Sequence, residues 1–175
     1  MRSRIPKLVL LCGAVSLTLS CASPSEPSAD RAAPPHDPDA LLFPLLDWAL
    51  MRCIPLPAAA ASAAIGPEGG AVQVGPHQLV VPAGALAETV TITATAPSSK
   101  VNQVDFGPEG LEFAVPARLT MSYANCFGAG LPLPRRIAYT SDLLAILEFL
   151  VSVDDLANRR VSADLDHFSR YAVAW

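Results

Sequence analysis

Between Thr89 and Ala96 the chain reads TVTITATA, an unbroken alternation of hydroxyl-bearing and apolar side chains. A period of two sends successive side chains to opposite faces of an extended strand, so one face of this segment is free for a core and the other for solvent. A helix would scatter the same residues around its circumference and leave no continuous apolar stripe. RLTMSY, residues 118–123, repeats the pattern with Leu119, Met121 and Tyr123 on one side. From Ile65 onward short runs of this kind are broken by Gly and Pro, and that texture predicts an all-β domain, an antiparallel β-sandwich over residues 65–175.

The turns follow the same logic. AVQV and QLVV flank Gly75-Pro76-His77 and read as a hairpin with His77 in its turn. IGPEGGAV at 65–72 and FGPEGLEF at 106–113 share Gly-Pro-Glu-Gly, in which proline fixes φ and the following glycine permits positive φ, so both are expected to be turns. LLAILEFLV, residues 143–151, is apolar enough for a helix, but its place among strands predicts a central strand.

The first 40 residues are of another kind. Arg2, Arg4 and Lys7 precede LVLLCGAVSLTL, an uncharged run of 12 residues from Leu8 to Leu19. That length suits the core of a signal peptide over residues 1–20 and falls short of the ~20 apolar residues that span a bilayer. Leu19-Ser20-Cys21 resembles the end of a bacterial lipoprotein signal, which implies acylation of Cys21 and attachment to a membrane. Thr18 departs from that pattern, and ordinary cleavage after Ala22 remains the alternative, giving a soluble periplasmic or secreted protein. Residues 21–40 carry five prolines and no large apolar side chain beyond Cys21, so they are expected to form a disordered tether, with His36 solvated in it. LLFPLLDWALMRC, residues 41–53, predicts a short helix from about Pro44 to Arg52, since proline suits a first helical turn; residues 41–64 then make helix and connector.

Charge narrows the partners. Of twelve Lys and Arg, three lie in the signal segment, leaving nine against sixteen Asp and Glu, a formal −7 on the remainder. An acidic chain with no cluster of basic and aromatic residues is not built to hold a phosphate backbone, and no nucleic acid is expected as a partner. In an exported chain Cys53 and Cys126 are left as a pair once Cys12 goes with the signal and Cys21 to lipid. The simplest expectation is a disulfide; two buried thiols are the alternative. Neither cysteine has His or Cys at metal-ligand spacing, and the aspartates Asp154, Asp155, Asp164 and Asp166 lack the loop pattern of a calcium site, so no metal or cofactor is expected. There is no G-x-S-x-G element for a hydrolase triad and no sign of a small-molecule substrate.

GPEGGAVQV, LVVPAGAL at 79–86, FGPEGLEFAVPARLTMSY at 106–123 and HFSRYAVAW at 167–175 resemble, in that order, the ZU-five domain of zonula occludens proteins, netrin receptors and ankyrins. The resemblance covers Ile65 to Trp175 and implies an antiparallel β-sandwich that acts as an interaction module. Some members cut their own backbone between Phe and Ser of His-Phe-Ser, and His167, Phe168 and Ser169 match that motif. The implied chemistry is an N-to-O acyl shift, with Ser169 Oγ attacking the Phe168 carbonyl and His167 moving the proton. Two observations on the residues weigh against it. From Val161 the odd positions form one inward face that would carry both His167 and Ser169, and residues two apart on a regular strand stand about 6.6 Å apart along its axis, beyond proton-transfer reach. A run this long exceeds an ordinary strand, so a bend somewhere in it is expected, but no Gly or Pro after residue 160 marks a bulge, and a cut would leave only a short strand downstream. The expectation is a non-enzymatic, membrane-anchored envelope protein. Its sandwich would meet another envelope protein or a surface partner through NCFGAGLPLPRR, residues 125–136, with Arg135 and Arg136 as binding residues; self-cleavage at His167-Phe168-Ser169 is the alternative.

Overall fold

The computed structural model describes residues 49–175. The expected signal peptide, the tether with Cys21 and His36, and the expected helix as far as Trp48 lie outside the described residues. The remainder of that helix, Ala49 to Arg52, is not helical. Leu50 forms an antiparallel bridge with Ala174, Met51 N–H donates to Val173 C=O at 3.0 Å, and Trp175 N–H donates to Ala49 C=O at 2.8 Å. The backbone groups that a helix would pair internally are taken by the C-terminal strand.

Eleven strands follow: β1 (Ala59–Ile65), β2 (Gly70–Val74), β3 (His77–Val81), β4 (Val90–Ala96), β5 (Gln103–Gly107), β6 (Glu112–Ser122), β7 (Arg136–Thr140), β8 (Ile146–Phe149), β9 (Ser152–Asp155), β10 (Arg160–His167) and β11 (Arg170–Ala174). They form two antiparallel sheets, one ordered β1-β4-β5-β11-β7-β8 and the other β2-β3-β6-β10-β9, packed as a β-sandwich. The alternating segments fall as their period requires: Ile92, Ala94 and Ala96 are buried and Thr91, Thr93 and Thr95 exposed, while Leu119, Met121 and Tyr123 are fully buried. The first sheet begins before Ile65, at Ala59. AAASAAI carries no apolar-polar alternation and is poor in strand-forming residues, so nothing in it marked an edge strand.

The hairpin forms with a two-residue loop, Gly75-Pro76, and Val74 faces His77 across it. His77 is therefore the first residue of β3 and is buried, not in the turn. Both Gly-Pro-Glu-Gly segments are turns; in the first, Gly69 takes φ +80°, where an added Cβ would meet Val81 C=O at 2.5 Å. Residues 143–151 do yield a strand, but β8 is a four-residue edge strand with Leu143 and Val151 almost wholly exposed, not a central one.

The last run departs most from expectation. It is two strands in different sheets: β10 belongs to the five-stranded sheet, β11 to the six-stranded one, and the chain crosses between them at Phe168-Ser169. Register locates the cause on the neighbouring strand, since Leu165 pairs with Ala117 but His167 with Glu112. Here β6 spends five residues where β10 spends two, around Pro116, which has no N–H to give to a ladder. Val161, Ala163, Leu165, Tyr171 and Val173 point inward; His167 and Ser169 are only half-buried, and Phe168 between them enters the core. A smaller apolar cluster on the outer side, Leu50, Val101, Ala138, Ala172 and Ala174, is closed by the entering segment.

Candidate functional site

Two places gather the residues singled out in the sequence. The first is the sheet crossing. Phe168 stacks on Phe106 at 5.1 Å between ring centroids and meets Phe113 edge-on at 4.9 Å, so it anchors the crossing in the core. Its backbone is held on both sides: Phe168 N–H donates to Leu111 C=O at 2.8 Å, and Gly110 N–H donates to Phe168 C=O at 3.1 Å. His167 Nδ1 lies 3.4 Å from that same carbonyl oxygen, and its ring stands edge-on to Tyr139 at 5.3 Å. Tyr171 Oη donates to His167 C=O at 2.6 Å, and burial pushes the Tyr171 phenol up from its ordinary pKa. Ser169 C=O accepts from Phe106 N–H at 3.1 Å. The motif thus has one N–H donor and one ring nitrogen on the carbonyl that an acyl shift would attack. Phe168 and its carbonyl are also fully engaged in holding the two sheets together.

The second place is the pole where the described chain enters. Cys53 and Cys126 form a disulfide. Around it, Phe127 N–H donates to Arg52 C=O at 2.8 Å, Ile54 N–H to Asn125 C=O at 2.9 Å, and Cys53 N–H to Lys100 C=O at 2.7 Å, so three segments are laced by backbone bonds. Asn102 and Asn125 complete the lacing: Asn102 Nδ2 donates to Ser122 C=O and to Asn125 Oδ1, and Asn125 Nδ2 donates to Ile54 C=O. No sequence pattern signalled this asparagine pair, because its members sit in separate loops.

Arg135 does not face outward as the loop composition suggested. It is 1% exposed, its guanidinium 4.7 Å from the Trp175 ring and 5.2 Å from that of Tyr123. It donates to the carbonyls of Gly128, Leu131 and Leu133, while its backbone N–H donates to Asp154 Oδ2 at 3.0 Å. Asp154 also accepts from Tyr123 Oη at 2.5 Å, and burial with that bond pushes the phenol up to about 12. Arg135 is the centre around which the 125–136 loop is wound, its guanidinium turned to that loop's own carbonyls. Gly128 belongs to the same arrangement: its φ is +74°, and a Cβ there would meet the Trp175 ring at 2.7 Å. Arg136 is exposed; it donates to the backbone oxygen of Trp175 and lies over the Phe149 ring at 4.2 Å.

His77 is the other residue whose role the sequence hid. Its Nδ1 accepts from Ser122 N–H at 3.2 Å, tying β3 to the end of β6, and burial lowers its pKa to about 4. Two more of the aspartates are committed locally: Asp164 pairs with Arg118 at 2.8 Å, and Asp155 accepts from the backbone and side chain of Asn158, bonds that hold its carboxyl below the usual range. Among the described residues no group of three or more His, Cys, Asp and Glu is placed to hold a metal ion. Comparison with family models finds no match for this chain, and comparison with curated proteins finds none either.

Proposed function

We propose that this chain is a non-enzymatic envelope lipoprotein, anchored through Cys21, whose sandwich is a ZU-five-like module that binds another envelope protein by strand addition. The observation that carries this reading is the outer edge of β1. A free edge exposes a row of unpaired N–H and C=O groups, and sheets ordinarily guard such edges with charge, shortness or irregularity. The edge strand β9 carries Asp154 and Asp155, β8 is four residues long with Glu148, and β2 has five residues. By contrast β1 has seven residues, no charge and no register break against β4. Its core-facing Ala59, Ala61 and Ala63 are only half-buried, as expected where no strand lies beyond them, and Ala60, Ser62 and Ala64 are exposed. Small side chains on both faces leave a partner strand unobstructed, so main-chain hydrogen bonds would supply affinity.

A photo-crosslinking residue in place of Ser62, used in intact cells, is expected to yield a discrete protein adduct that the same residue at exposed Glu88 does not. No adduct at position 62 under any growth condition would contradict the reading. The second reading, self-cleavage between Phe168 and Ser169, draws support from the Gly110 N–H and the His167 ring on the Phe168 carbonyl. A chain shortened at Ser169, and intact in the Ser169→Ala variant, would establish it.

A further inference from the structure

The pole around the disulfide has a composition unlike the rest of the domain. Its three segments, residues 49–58, 97–102 and 124–136, contain Arg52, Lys100, Arg135 and Arg136 and no Asp or Glu. The other described residues carry the remaining four basic side chains, Arg118, Arg159, Arg160 and Arg170, against eleven acidic ones. The pole also concentrates large apolar side chains in water: Ile54 is 60% exposed, Phe127 64%, Leu131 49% and Leu133 52%. Two of these, Ile54 and Phe127, line a shallow dish of about 440 Å³ together with Arg52, Lys100, Pro55 and the disulfide half Cys53. Exposed apolar surface of this kind, rimmed by cations, marks an interaction site.

The placement of the pole decides what covers it. The chain enters the described domain here, at Ala49 and Leu50, next to the C-terminal strand. The candidate acylation site Cys21 therefore connects to this end of the sandwich through residues 22–48. Of the charged groups near the dish, Arg135 is buried beside Asp154 and Arg136 is engaged with the Trp175 backbone oxygen, so exposed Lys100 is placed to meet a flat surface. A negatively charged lipid surface complements both features: phosphate headgroups attract Lys100, and the acyl boundary receives Phe127, Ile54 and the two leucines. The acidic remainder of the domain would be repelled and held outward.

We infer that the disulfide pole is a membrane-facing surface that docks directly on an anionic bilayer, with Phe127 and Ile54 entering the interface and Lys100 meeting lipid phosphate. Docking on this face orients the sandwich on the bilayer. The inference shares a membrane setting with the proposed function, but its test is independent of acylation.

The full exported chain carrying Cys21→Ser, which has no acyl anchor, is to be sedimented with vesicles of phosphatidylglycerol and phosphatidylethanolamine, and with vesicles of phosphatidylcholine alone. Binding to the anionic vesicles that weakens with added salt is expected, with little to phosphatidylcholine. Phe127→Ser should lower the partition about tenfold, from the apolar transfer it removes. Lys100→Glu should lower it at least about fivefold. Both residues are exposed, and an unchanged Tm would confirm that each variant folds. No binding to either vesicle, or binding that neither substitution weakens, overturns the inference. So would a concentration-dependent self-association abolished by Phe127→Ser in the absence of vesicles, which would assign the face to a second copy.

Discussion

Arg135 is the cation around which its loop is wound. Its guanidinium donates to three loop carbonyls and lies between the rings of Tyr123 and Trp175, with the Asp154 carboxylate 4.0 Å away. Removing it takes the shared donor from the three loop carbonyls and the cation from between the two rings, so Arg135→Ala should cost about 3 kcal/mol in urea unfolding, whereas exposed Arg136→Ala should cost under about 1 kcal/mol. A result in which the two variants are equally mild would mean the loop is not wound on Arg135. His77 makes a second prediction at this scale. Its folded pKa, about 4, lies below the 6.5 of an exposed histidine, so between those values the unfolded chain binds the extra proton. The stability it secures is complete above pH 6.5 and is lost as pH falls toward 4, on the order of 3 kcal/mol in all. The difference in unfolding free energy between the protein and His77→Gln should therefore shrink as pH drops through that window; a pH-independent difference would contradict the assignment. Neither role was legible beforehand. The sequence places Arg135 beside Arg136 and His77 beside Gly75-Pro76, and nothing local distinguishes a buried cation or ring from an exposed one.

At the scale of elements, the disulfide and the sheet crossing do the joining. Cys53 and Cys126 are 73 residues apart, and closing a loop of that length restricts the unfolded chain by about 4 kcal/mol in the chain-entropy account. The Cys53→Ser, Cys126→Ser double variant should lose stability of that order in unfolding experiments, and reductant should have no further effect on it. Phe168 is the pin of the crossing: Phe168→Ala opens a cavity against Phe106 and Phe113 and should cost about 3 to 5 kcal/mol, visible as a lowered denaturation midpoint. Strand identity was readable wherever one face was buried and the other wet, as in TVTITATA and RLTMSY. It failed where period carried no contrast. AAASAAI has alanine on both faces, so β1 passed for connector, and the odd-position alternation of Val161, Ala163 and Leu165 resumes at Tyr171 and Val173, which hides the break where Phe168 turns inward, while the extra residues sit on β6 at Pro116. A register shift on a neighbouring strand leaves no mark on the strand it redirects.

For the whole molecule, two separate features carry the work that the proposals assign. The disulfide pole gathers cations and exposed apolar side chains beside the point of chain entry, and the β1 edge offers unpaired backbone along the side of the six-stranded sheet. Sheet class and the cysteine pair could be read from pattern and parity, because both follow from local rules. The pole could not, since Ile54, Lys100 and Phe127 come together only after three loops are laced by backbone bonds. The central claim, that this chain is an anchored binding module and not a self-cutting one, is tested most directly by intact mass spectrometry of the full protein recovered from the cell envelope. The account predicts a single species beginning at an acylated Cys21, lighter by the two hydrogens of the Cys53–Cys126 bond and retaining Ser169 through Trp175. A species ending at Phe168, and absent from the Ser169→Ala variant, would contradict it.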